Sequence, residues 1–124
     1  MTSKRVAQET AQMLQDYLTY QAVRTILEQL SETNPTQALW LRQFSQQHDV
    51  KNSSAYLEAL MAERKDLVMR IMTVREDLAD RVLDFLPEMV RSGLEKSNLH
   101  YRCQILERLT QTQAEDADDS NAAE

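Results

Sequence analysis

The chain carries two histidines, His48 and His100, and one cysteine, Cys103. A histidine that binds metal or moves a proton needs a second ligand or an orienting partner at a defined spacing. Neither histidine belongs to a helical His/Glu ligand pattern, and "HD" at 48–49 sets only one acid beside one imidazole. Cys103 follows Arg102, whose charge favours a thiolate, but no histidine stands in an active-site pattern with it. Glycine occurs once, at Gly93, so no Gly-rich phosphate loop exists. These residues support no catalytic centre, no metal, no cofactor and no nucleotide site. Non-covalent binding is the chemistry left, and Tyr17 and Tyr20 in "YLTYQ" suit it. A tyrosine offers a large apolar body, a polar tip and few rotamers to freeze.

The elements that must position these rings are helical. Gly and Pro are scarce while Leu, Gln, Glu, Ala and Arg abound, an all-α composition. Thr2 or Ser3 can cap a first helix that runs to about Leu30. "SETNP" breaks it. Asn34 as N-cap with Pro35 in the first turn then starts a second helix over about Pro35–Gln46. "HDVKNSS" reads as a loop, after which Ser53 or Ser54 caps a short helix through about Arg64. A fourth begins near Asp66 and stays periodic to Leu86. With about 100° per residue, Leu67, Val74, Leu78, Val82 and Phe85 all fall near Ile71 on one stripe. Pro87 must kink that helix or start a new one. Gly93 suits the end of the piece, and a last helix covers roughly Lys96–Gln111.

On the same wheel Tyr17 lies well over 100° from the face made by Val23, Ile26, Leu27 and Leu30. A straight helix cannot bury both patches against one neighbour. Another helix of the same domain covers the rings, or they face a second chain or a ligand. The stretch from Asp66 to Ser92 raises a similar issue. As one helix it would span ~40 Å with Met69, Met72, Ala79 and Leu83 flanking the stripe, more apolar length than a domain of this size covers. A symmetric homodimer is the simplest remedy.

Charge and length set further bounds. The 124 residues make one domain the expectation. The net charge of −6 is concentrated in "QAEDADDSNAAE", whose five acids leave −1 for the rest. The expected layout is a single helical domain over 1–111 and a disordered acidic tail over 112–124. A nearly neutral body offers no basic face for nucleic acid. No window has the length of a membrane span and no signal peptide is visible. With a single cysteine, the composition points to a soluble protein of a reducing, cytoplasmic compartment.

"YLTYQA", "LSETNP" and "RIMTVREDLADRVLDFLPEMVR" together resemble the RbcX family of Rubisco assembly chaperones, over roughly residues 3–110. The resemblance implies a helical-bundle protomer that pairs antiparallel through its long helix into an arc-shaped homodimer. It implies a central groove for the extended C-terminal peptide of the Rubisco large subunit, lined by Thr10, Tyr17, Tyr20, Gln29 and Val50. It implies a second, polar contact to the folded body of that subunit through Glu32, Thr33, Asn34, Arg70 and Arg102. Asn34 is at the same time the N-cap, and Arg70 also reads as part of a solvated charge row with Asp77 and Arg81. The implied mechanism is binding without turnover: the octameric core of large subunits is favoured, and small subunits then displace the chaperone. The implied setting is the cyanobacterial cytosol or an association with the carboxysome, or the plastid stroma for a plastid-bearing source. The other reading is a helical homodimeric adaptor or scaffold that binds an extended peptide with no chaperone role.

Overall fold

A computed structural model of the chain describes the backbone of residues 2–122 and the side chains of residues 2–118. Five helices follow one another, α1 (Ser3–Thr33), α2 (Pro35–Gln47), α3 (Ser53–Glu63), α4 (Lys65–Leu83) and α5 (Leu86–Ala122), with no strand among the described residues.

Asn34 both ends α1 and starts α2. Its backbone leaves the helical region, with φ −150° and ψ 80°, while its N–H still donates to Leu30 O at 2.7 Å. Its side-chain Oδ1 accepts from the Gln37 N–H at 3.3 Å, and Pro35 follows in the first turn, where a missing donor does no harm. Thr2 caps α1, accepting from the Arg5 N–H at 3.2 Å. Arg64 alone separates α3 from α4.

The described residues fall into two units, one ending at Val82 and one beginning at Leu83. In the first, Ala22, Val23, Ile26 and Leu30 of α1 meet Ala38, Leu41 and Phe44 of α2, Tyr56 and Leu60 of α3, and Leu67, Val68 and Ile71 of α4. Phe44 anchors the centre, with the Tyr56 ring edge-on at 5.5 Å and the Trp40 ring stacked at 5.3 Å. The Tyr56 hydroxyl meets Ser45 Oγ at 2.8 Å, so the ring is buried without orphaning its polar tip. Burial holds the phenol pKa above its ordinary value, against the opposing pull of the Ser45 bond. The second unit is essentially α5, whose side chains through residue 118 are nearly all exposed.

Several sequence expectations are corrected. The fourth helix stops at Leu83, and Asp84 and Phe85 form a turn from which α5 starts with Pro87 in its first turn. Pro87 therefore begins a helix, the position that tolerates its missing N–H. Gly93 does not end anything. No glycine adopts positive φ, and α5 runs straight through it and through Lys96, because one glycine raises the local free energy by only ~1 kcal/mol relative to alanine. The same helix enters the acidic stretch and reaches Ala122, so 111/112 is no helix boundary; that segment contains no Pro or Gly to stop it. The expectation of disorder at 123–124 lies outside the described residues. Phe85 is exposed, not the last member of the α4 stripe, because the helix that would have carried it inward has already ended. Neither Ser53 nor Ser54 caps α3. Asn52 takes the cap position without a side-chain bond, and Ser53 turns elsewhere.

Candidate functional site

The buried positions of α1, namely Leu18, Thr19, Ala22, Val23, Ile26 and Leu30, centre about 180° around the helix from Tyr17. Tyr17 is 58 % exposed and Tyr20 41 %. Among the described residues of the first unit, no other helix buries them. The rings lie nearly parallel, 29° apart with centroids 6.4 Å apart, and the Gln21 amide donates to the Tyr17 hydroxyl at 3.0 Å. Toward the N-terminus the same exposed face continues through Met13, Thr10 and Val6 at alternating three- and four-residue steps. Thr10 spends its hydroxyl on Val6 O at 2.8 Å, which leaves its methyl as the outward surface.

Tyr20 and Val50 share a cleft of about 310 Å³, completed by Val23, Arg24, Leu27 and Ser45. Val50 belongs to the α2–α3 connection and packs against the core, so the cleft has a firm wall. That connection is fixed from α1. The Ser53 hydroxyl donates to Asp16 Oδ1 at 2.5 Å, and the Gln12 amide donates to the same oxygen at 3.1 Å. The Asp16 carboxylate thus serves the start of α3 in place of a local cap. The Ser53 hydroxyl is the main cause holding its pKa below the ordinary 3.8; partial desolvation opposes it, and the Gln12 amide and Ser53 N–H assist.

Four of the five residues expected at a groove therefore lie together, Thr10, Tyr17 and Tyr20 along one face of α1 with Val50 beside it. Gln29 does not join them. It points to the flank facing α4, where Arg70 Nη2 donates to its Oε1 at 2.6 Å. Glu32, Thr33 and Asn34 form the exposed α1–α2 corner, Thr33 donating to Gln29 O at 2.9 Å. Arg70 reaches that flank from α4. Arg102 stands exposed on α5, in the second unit. Sequence reasoning missed Arg24 and Leu27 as cleft residues, although their spacing from Tyr20, at i+4 and i+7, is the signal that places them on its face. It also missed Asp16, for which no local pattern exists.

Among the described residues no group of His, Cys, Asp and Glu is arranged to hold a metal, and Cys103 is exposed. No helix there is long and apolar enough to cross a membrane. Fold and site define an all-helical protein that presents unburied aromatic rings beside an apolar cleft, the equipment of a binding protein. The family model described as RbcX protein matches residues 1–111. The chain is 58 % identical over 118 residues to the RuBisCO chaperone RbcX of Picosynechococcus sp., covering 95 % of this chain and 88 % of that one. It is 50 % identical over 121 residues to the RuBisCO chaperone RbcX of Thermosynechococcus vestitus, covering 98 % and 96 %. A crystal structure of RbcX in complex with substrate superposes with a TM-score of 0.83 at 61 % identity, over 89 % of this chain and 99 % of that one. The chain belongs to the RbcX family.

Proposed function

We propose that this protein is an assembly chaperone for Rubisco, acting as a homodimer that clamps the extended C-terminal peptide of the large subunit. The observation that carries the reading is the pair Tyr17 and Tyr20, turned away from a sealed core and set beside the Val23–Leu27–Val50 cleft. Aromatic side chains of an extended peptide would lodge there against rings that lose little rotamer freedom on binding. Thr10 extends the surface along α1, and Gln29 supplies a polar contact at its flank. Glu32, Thr33, Asn34, Arg70 and Arg102 would touch the folded body of the large subunit. The fit with relatives named as chaperones supports this.

Action is by binding and release. Clamping the peptide and touching the neighbouring large subunit favours the octameric core, and small subunits then displace the chaperone. A few aromatic anchors with a polar rim give an interface that exchanges. The cyanobacterial relatives make the cytosol of such a cell the expected place of work.

The deciding experiment is a calorimetric titration of the wild-type chain and Tyr20→Ala with a peptide made from the last residues of the Rubisco large subunit. Binding by wild type, weakened at least about tenfold in the variant, is the expected result. Equal heats from the two proteins would sink the proposal. Co-expression with the large subunit, scored for assembled soluble product, separates a chaperone from a peptide-binding adaptor.

A further inference from the structure

At the α1–α2 corner a second concavity, about 270 Å³, is lined by Asn34, Thr36, Gln37, Trp40 and Arg64. The half-buried Trp40 indole forms its floor, held by its stack on Phe44. The Arg64 guanidinium lies over that indole, its central carbon 4.9 Å from the ring centroid. A guanidinium resting over an aromatic face has lost part of its rotamer entropy in advance and still has N–H groups to donate. No carboxylate lines the cavity, and among the described residues Arg64 makes no ion pair.

The neighbouring amides sort into used acceptors and free donors. Asn34 Oδ1 takes the Gln37 N–H at 3.3 Å, and Asn34 Nδ2 donates to Gln37 Oε1 at 3.4 Å. Among the described residues the Gln37 amide nitrogen, the Thr36 hydroxyl and the Arg64 guanidinium make no hydrogen bond, and all three residues line the cavity. A pocket that offers donors, one fixed positive charge and an aromatic floor matches a carboxylate, which accepts two parallel N–H bonds from an arginine.

We propose that this corner binds an Asp or Glu side chain on the folded body of the client, with Arg64 as its bidentate partner, Gln37 as a flanking donor and Trp40 as the platform. The inference rests on the chaperone reading above and names the chemistry of its polar contact. Asn34 joins the cavity to the corner residues Glu32 and Thr33.

Two variants test it. Arg64→Gln keeps a planar group over the indole and removes the charge and the fork. Thr36→Glu puts a carboxylate at the mouth, in the first turn of α2, where an acid suits the helix and folding is preserved. Both should bind the C-terminal peptide within about twofold of wild type, yet yield at least about fivefold less assembled large subunit on a native gel. Arg64→Lys should restore less than half of the yield, because an ammonium neither stacks flat nor forks. Wild-type assembly should fall as salt rises, and the residual assembly of Arg64→Gln should not follow it. Normal assembly by Thr36→Glu overturns the proposal, including the case where Arg64→Gln loses peptide binding and so reveals a purely structural arginine. A wild-type chain that binds no peptide sinks the chaperone reading and this inference with it, an outcome visible in the titration before any assembly is scored.

Discussion

Arg70 Nη2 donates to Gln29 Oε1 at 2.6 Å, across 41 positions of sequence. One of these residues is assigned by resemblance to the peptide groove and the other to the contact with the client's body. In the free chain they are partners. On the proposed groove, a peptide N–H approaching Gln29 Oε1 would share that acceptor with the guanidinium or displace it. Nearby on the same helix pair, Arg75 Nη1 donates to the buried Thr19 Oγ1 at 3.2 Å, a bond that fixes α4 against α1 without reaching the surface assigned to clients.

A double-mutant cycle with Gln29→Ala and Arg70→Ala, followed by thermal unfolding, should show the two changes to be non-additive by about 0.5–1 kcal/mol, the scale of a charge-assisted bond near the surface. Arg70→Ala alone should keep peptide affinity within about threefold while lowering the yield of large-subunit octamers on a native gel. Additive melting shifts would show the bond to be absent in solution.

How much of this was readable beforehand follows from which forces are local. Asn34 and Pro35 wrote the α1–α2 corner into a dipeptide, because capping and the missing proline donor act within one turn. Counting angles set Tyr17 well off the later core face but left open whether another helix covers the two rings. Leu67 and Ile71 were legible as core for the same reason. What escaped depends on distance in sequence. Ser53 looked like a cap, but Asp16 on another helix holds its hydroxyl, and nothing near either residue announces the pairing. Gly93 and Phe85 failed differently: whether a glycine ends a helix, or a periodic stripe stays buried, is decided by packing and not by propensity. The association of Arg70 with Gln29 is again tertiary.

Asp16 ties α1 to the first turn of α3, and its lowered pKa makes that tie dependent on pH. A carboxyl whose folded pKa lies below its unfolded value stabilises the fold above the unfolded value, and the contribution disappears as pH falls through the folded one. The window is therefore acidic, beginning near 3.8 and extending below it. Wild type should melt higher than Asp16→Asn at pH 6, and the gap should narrow progressively as pH falls below the unfolded value of 3.8. A gap that stays constant across that range would show that charge has no part in the tie.

The Ser45–Tyr56 bond separates the core from the cleft it supports, since Ser45 lines the cleft while Tyr56 is buried behind it. Tyr56→Phe should lower stability by about 1 kcal/mol, the usual weight of one hydrogen bond whose partner keeps another. Ser45 does keep another, donating to Leu41 O at 2.8 Å. Denaturant unfolding would read the loss, and peptide titration of the same variant should be unchanged. A variant that unfolds normally but binds poorly would place Tyr56 in recognition instead of packing.

Much of the remaining exposed apolar surface belongs to α5. Val90, Leu94, Tyr101, Ile105 and Leu109 are all more than half exposed. Counted around the helix they fall within about 100° of one another, a stripe that water would not leave uncovered on a helix of ~55 Å. A helix of this length, with no buried side chain among the described residues, gains little from propensity alone and takes its stability from packing. If a second copy supplies that packing, one charge in the stripe must be desolvated twice in a symmetric pair, once on each side of the axis. Leu94→Glu and Ile105→Glu should each shift the chain from dimer to monomer in sedimentation equilibrium and lower the helical signal. Glu95→Lys, on the neighbouring direction, should leave the mass unchanged. Because the proposed groove is shared between two copies, both stripe variants should also lose peptide binding although Tyr17 and Tyr20 are untouched. A monomeric variant that still bound the peptide with wild-type affinity would confine the groove to one protomer and detach dimerisation from recognition.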